Sequence, residues 1–177
     1  EGETAFVELF ENLEKFDFDV NAFKKNKIKS GNCHYVFEEK LIEGEVLPRI
    51  GNLDEIPSPY LSGSLDKFFD KTLTPSIQTI RGCPFKCTFC QEGKEYFTKI
   101  HKFSRERVRE ELEYIAKKVK VTNLEIVDSN FGMYKQDVEI CKDISAIRKK
   151  SGWPKFIETS LGKSKKIKEA IAILEGG

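Results

Sequence analysis

An α/β fold, with parallel strands crossed by helices in an open sheet or part of a barrel, is predicted for the second half of the chain by three observations. From Thr74 onward, short apolar runs alternate with helical patterns three times in succession. Within each helical stretch the apolar residues fall on one face. The run 124–127 is mostly apolar, as a strand covered on both faces of a parallel sheet should be.

The elements follow in order. Phe6, Leu9, Phe10 and Leu13 recur at helical spacing behind Thr4, a candidate N-cap, so residues 5–15 read as one amphipathic helix. Residues 17–32 are polar and Lys-rich and suit a linker. Residues 35–37 and 41–47, separated by Glu38, Glu39 and Lys40, read as a short hairpin or extended arm. Pro48, Pro57 and Pro59 keep residues 48–63 from regular structure. Residues 76–80 form the first strand of the sheet, and a helix follows from Ser104 with Val108, Leu112, Ile115, Ala116 and Val119 inward. After the strand 124–127, a helix over about 135–150 buries Val138, Ile140, Cys141, Ile144 and Ile147. Phe156 and Ile157 make a third short strand. A last helix, with Ser164 as candidate cap, buries Ile167, Ala170, Ile171 and Leu174 and stops at Gly176.

Composition narrows the function. The chain has 177 residues, enough for one sizeable core. Thirty Lys+Arg against 29 Asp+Glu leave a formal charge of +1, which lacks the basic footprint of a nucleic-acid binder. No apolar run approaches the ~20 residues of a membrane span, and no leader pattern opens the chain. Five cysteines, three of them in one loop, predict a reducing, cytoplasmic setting and ligand chemistry. The opening at Glu1 and the stop at Gly177 suggest a piece of something longer.

The loop "RGCPFKCTFCQ" holds Cys83, Cys87 and Cys90 at spacing C-x3-C-x2-C, just beyond the first strand of the sheet. Parallel sheets carry their ligand sites at strand carboxyl ends. Asp128, Ser129 and Asn130 after the second strand, and Glu158, Thr159, Ser160 and Lys163 after the third, are expected at the same mouth. Three thiolates can hold three irons of a [4Fe-4S] cube and leave the fourth open. The alternative is a non-catalytic binding module with zinc or a simple electron-transfer cluster in the same loop, His101, eleven residues past Cys90, being a candidate fourth zinc ligand. Cys141 reads as a core residue, free cysteine being a small hydrophobe. Cys33 and His34 lie far from the loop in sequence, His101 and Lys102 read as solvated, and the basic runs near 117–120, 148–150 and 163–168 read as solvated helix faces.

"RGCPFKCTFC" resembles the cluster loop of the radical S-adenosylmethionine (SAM) superfamily, with Phe89 as the aromatic before the last cysteine. "LDEIPSPYLSG", "VDSNFGMYKQDVEIC" and "GWPKFIETSLGK" resemble, in order, the subgroup that carries an N-terminal cobalamin-binding domain, and "EGETAFVELFENL" resembles the last helix of that domain. The resemblance covers nearly the whole chain. It implies that residues 1–16 close a cobalamin-binding domain, that 17–73 are linker and arm, and that 74–177 are the N-terminal half of a radical SAM core, a partial barrel with about three of six strand–helix units. It implies a [4Fe-4S] cluster on Cys83, Cys87 and Cys90, with SAM chelating the open iron. One electron then cleaves SAM to methionine and a 5'-deoxyadenosyl radical that abstracts hydrogen from a small-molecule substrate. Phe89 is placed to pack on the adenine. Asp128, Ser129 and Asn130 stand where the family meets the SAM amino group, though they depart from its common glycine-glycine-glutamate form. Glu158, Ser160 and Lys163 are candidates for the SAM carboxylate, ribose or substrate. The further implied partners are a one-electron donor such as flavodoxin or ferredoxin, and cobalamin for methyl transfer or rearrangement. A half-barrel exposes an apolar edge and face, which predicts self-association or marginal stability.

Overall fold

A computed structural model describes residues 2–176, divided into two units between Gly51 and Asn52. Glu1 and Gly177, the outer ends of the first and last expected segments, lie outside the described residues.

The first unit opens with α1 (Gly2–Glu14), which takes in Thr4 as an interior residue where a cap was expected. It is tied to the following chain by side chains: Asn12 donates to the Ser30 hydroxyl at 2.8 Å, and Glu8 accepts from the Gly31 N–H at 3.1 Å. Where a linker was expected, α2 (Val20–Lys25) forms instead. Asp19 caps it by accepting from the Asn21 and Ala22 N–H groups at 2.9 and 3.0 Å. Its single buried anchor, Phe23, meets the rings of Phe16 and Tyr35 at 6.2 and 5.5 Å. β1 (His34–Phe37) and β2 (Lys40–Glu43) then pair antiparallel as the expected hairpin. Glu38 and Glu39 between them take φ of 49° and 60°, the left-handed pair that matches strand twist in a two-residue turn.

The second unit begins with an irregular strap. Tyr60 fixes it by donating to the Ser76 carbonyl at 2.8 Å and accepting from the Ser76 N–H at 3.0 Å. There follow β3 (Ser76–Ile77), β4 (Ile80–Arg81), the single turn α3 (Glu95–Thr98) and β5 (His101–Lys102), which pairs antiparallel with β4. The one strand expected over 76–80 is thus two. His101, expected in solvent, is buried on β5, whereas Lys102 is exposed.

α4 (Arg105–Lys118) starts where Ser104 accepts from the Arg107 N–H at 3.2 Å, as the sequence predicts. β6 (Asn123–Phe131), α5 (Lys135–Ser151), β7 (Phe156–Leu161) and α6 (Lys166–Glu175) complete the alternation. The sheet order is β3-β6-β7, all parallel. Val108, Leu112 and Ile115 of α4, Leu124 and Ile126 of β6, and Ile140, Cys141 and Ile144 of α5 form the core between sheet and helices. Arg105 joins α4 to α5 through a two-pronged pair with Asp143, at 2.7 and 2.8 Å.

Three further expectations change. β6 is covered on one face only: Leu124 and Ile126 are buried, while Glu125 and Val127, pointing the other way, are exposed. Both later strands run on through polar residues, so Asp128, Ser129 and Asn130 lie inside β6, and Glu158, Thr159 and Ser160 inside β7. In α6, Ala170 is buried but Ile171 is exposed; Lys165 holds the cap position, and Ser164 supports it by accepting from the Lys166 N–H at 3.2 Å.

Candidate functional site

The cysteine loop leaves β4 and returns through α3 to β5, so its two ends are adjacent antiparallel strands. Gly82 turns the chain out of β4 with φ of 107°, a conformation costly for any residue with a side chain. Cys83 N–H then donates to the Phe97 carbonyl at 3.0 Å, closing the base of the loop. Inside the loop, Cys90 N–H donates to the Cys87 carbonyl at 3.1 Å and Gly93 N–H to the Cys90 carbonyl at 3.0 Å. A Cβ on Gly93 would overlap the Cys87 carbonyl, so this close approach needs glycine. Cys83 is buried, and Cys87 and Cys90 are exposed.

The end of β6 holds this loop at three points, one from each of three consecutive residues. Asp128, 3% exposed, accepts from the Thr79 N–H at 2.7 Å, from the Ile80 N–H at 3.1 Å and from the Thr79 hydroxyl. These bonds draw the backbone away from β3 and account for the break between β3 and β4. Burial pushes the Asp128 carboxyl up to about 6, against the opposing pull of the same hydrogen bonds. Ser129 donates to the Glu92 carboxylate at 2.8 Å, pinning the far side of the loop. Asn130 donates from its amide nitrogen to Cys83 Sγ at 3.0 Å.

Just beyond β6, Asp137 accepts from the Gly132 and Tyr134 N–H groups, both at 2.9 Å, and fixes the turn into α5. Burial raises its carboxyl, opposed by the hydrogen bonds it accepts. Lys102 sits 4.2 Å from the centre of the Tyr134 ring, a cation–π contact.

Contact thus joins Asp128, Ser129 and Asn130 to the cysteine-bearing excursion. Phe89 projects from the loop 92% exposed. Glu158 lies opposite Glu125 in the β6–β7 register, accepts from the Asn123 amide at 3.3 Å and faces the open side of the sheet. Ser160 is exposed further along β7, and Lys163 is exposed past its end. Among the described residues no hydrogen bond joins Glu158, Ser160 or Lys163 to the loop. Thr79, Glu92 and Gly93 complete the site without having been singled out in the sequence. Only the glycine carried a local signal, its place in a turn directly after three cysteines. A groove of about 410 Å³ between α4 and α5, lined in part by Arg109, Glu113, Asp143 and Lys150, includes no loop residue.

The donor set fits an iron-sulfur cube: a cube asks for thiolates spread over separate irons, and the loop offers three thiols, one already hydrogen-bonded at sulfur. No helix among the described residues is long and apolar enough to cross a membrane.

The chain is 31% identical over 170 residues to 2-(S-pantetheinyl)-carbapenam-3-carboxylate methyltransferase of Streptantibioticus cattleyicolor, covering 93% of this chain and 24% of that protein. It is 29% identical over 170 residues to the cobalamin-dependent radical SAM methyltransferase TokK of Streptomyces tokunonensis, with the same coverage of 93% and 24%. Hopanoid C-3 methylase of Methylococcus capsulatus is 32% identical over 109 residues, which is 48% of this chain and 20% of that enzyme. The chain spans about a quarter of the length of the first two relatives. The model of the Radical SAM superfamily matches residues 77–176, from β3 to the end of α6, and the chain belongs to that superfamily.

Proposed function

We propose that this chain is the cluster-bearing part of a radical SAM methyltransferase whose reaction depends on cobalamin. The observation that carries the reading is the loop of Cys83, Cys87 and Cys90 at the carboxyl side of a parallel sheet, held by Asp128, Ser129 and Asn130. Those three cysteines would hold a [4Fe-4S] cluster. When bound, such a cluster supplies one electron that cleaves SAM to methionine and a 5'-deoxyadenosyl radical able to take hydrogen from an unactivated carbon.

The residues of the chain do the rest. Burial of Cys83 and exposure of Cys87 and Cys90 orient the loop with one side anchored and the other open to an incoming molecule. Phe89, almost wholly exposed, offers its ring to an adenine. On the uncovered face of the sheet, Glu158 and Ser160 present polar groups for the SAM ribose or for substrate, and Lys163 beyond β7 can meet a carboxylate. With three thiolates from the chain, a cluster held there would keep one iron free for SAM. The methyl-transfer assignment rests on the activities for which the relatives are named, and the cobalamin assignment on TokK, whose match covers 93% of this chain. In this reading residues 1–16 close a cobalamin-binding domain and 17–73 are linker and arm. The substrate is a small molecule, the electron comes from a flavodoxin or ferredoxin, and the setting is the reducing cytoplasm.

Anaerobic reconstitution tests the proposal. Four iron and four sulfide per chain, an electron paramagnetic resonance (EPR) signal altered by SAM, and formation of 5'-deoxyadenosine are expected. One zinc per chain and indifference to SAM would refute it.

A further inference from the structure

A hydrogen bond to a ligating sulfur changes the charge that sulfur carries, and the structure places one such bond on one cysteine of the loop. Asn130 donates from Nδ2 to Cys83 Sγ at 3.0 Å. Cys83 is also the only one of the three that is buried, so this contact lies where solvent screens it least. The donor is not a chance neighbour. Asn130 stands near the end of a nine-residue strand whose preceding residues, Ser129 and Asp128, are fixed on the same excursion by Glu92 and by the Thr79–Ile80 backbone. An amide nitrogen held this way cannot easily swing to another partner.

We propose that Asn130 sets the reduction potential of the cluster by hydrogen-bonding the Cys83 sulfur, in place of the contact with the SAM amino group that its position in the sequence suggested. The inference rests on the cluster-binding reading above. Reduction adds negative charge to the cluster and its sulfurs. A donor aimed at one sulfur stabilises the reduced form more than the oxidised form and raises the potential. The two roles separate cleanly, because a residue that contacts only SAM leaves the SAM-free potential untouched.

The test is an EPR-monitored redox titration of the anaerobically reconstituted protein without SAM, comparing wild type, Asn130→Ala and Asn130→Asp. The midpoint of Asn130→Ala is expected to shift to more negative values than wild type. Asn130→Asp, which loses the donor and adds a negative charge, is expected to shift further in the same direction. Equal SAM-free midpoints in wild type and Asn130→Ala, each with four iron per chain, would overturn the assignment while leaving the cluster reading intact. Wild type carrying one zinc and no sulfide overturns the cluster reading itself.

Should either variant fail to assemble a cluster, pulsed EPR of reduced wild type labelled with 15N at its asparagine side chains decides the matter. A 15N coupling in the absence of SAM supports the bond, and no coupling overturns it.

Discussion

Asp128 offers a sharp test of how the loop is held. Its carboxyl stands at about 6 in the folded protein against an ordinary value of 3.8, because burial outweighs the three hydrogen bonds it accepts. The folded state therefore binds more protons than the unfolded chain between about pH 4 and pH 6. Stability from this group is fully present below the unfolded value and is lost as pH rises through the folded one. A rise of that size corresponds to about 3 kcal/mol lost by pH 7. Asp128→Asn removes that dependence and keeps the geometry: its oxygen still accepts from the Thr79 and Ile80 N–H groups, and its nitrogen can donate to the Thr79 hydroxyl. Asp128→Ala strands those donors on residues that are 0% and 5% exposed, at about 1–3 kcal/mol for each buried group left unpaired. Urea unfolding from pH 4 to pH 8 should show the Asn variant losing less stability than wild type as pH rises, and at least as stable at pH 7. The Ala variant should lie about 3 kcal/mol or more below the Asn variant at every pH. Parallel pH profiles for wild type and the Asn variant, or equal stability of the two variants, would refute the account.

Other outcomes follow from the same geometry. Single replacement of Cys83, Cys87 or Cys90 by alanine should cut bound iron and sulfide severalfold in anaerobic preparations, while Cys141→Ala should leave both unchanged. In metal-free protein, iodoacetamide should label the exposed Cys87 and Cys90 within minutes. Cys141, whose thiol burial pushes up to about 12, should stay unlabelled at pH 8 until the chain unfolds, as mass spectrometry would show. Gly93→Ala should lower cluster occupancy, read as iron per chain, because the new Cβ forces the Cys87 carbonyl to move. Arg105→Ala removes the two-pronged partner of a largely buried Asp143 and should cost about 1–3 kcal/mol in urea unfolding, with cluster content unchanged.

The place of the loop was legible because three cysteines in eight positions, just past a strand, mark it whatever they bind. Helix α4 was equally legible, since Ser104 and its apolar stripe agree. The lengths of β6 and β7 were not. A strand covered on one face only can carry polar residues to its end, so Asp128 to Asn130 and Glu158 to Ser160 looked like loops while continuing the ladder. Helix α2 escaped notice because one cap and one aromatic anchor, Asp19 and Phe23, hold it, too little for a periodic signal. The break between β3 and β4 is written 48 and 49 residues away, in Asp128, and no local reading of residues 76–81 can find it.

That distance also explains why the site can be both exposed and ordered. A loop that must present sulfur to a cofactor cannot bury its tip, so it has little apolar area of its own to hold it in place. The chain solves this by giving the loop polar anchors at its entry, at its first cysteine and at its exit, all drawn from one strand that is itself locked into a parallel sheet. Because the anchors are consecutive, a shift in the register of β6 would displace all three together. Sheet register and cysteine placement are therefore one structural variable, and a core substitution beneath β6, such as Ile126→Ala, should loosen the loop without touching it. Such a variant should lose cluster occupancy at temperatures where its global unfolding, followed by circular dichroism, has not begun. Iron release that coincides with global unfolding, as in a loop anchored independently of the strand, would count against this coupling.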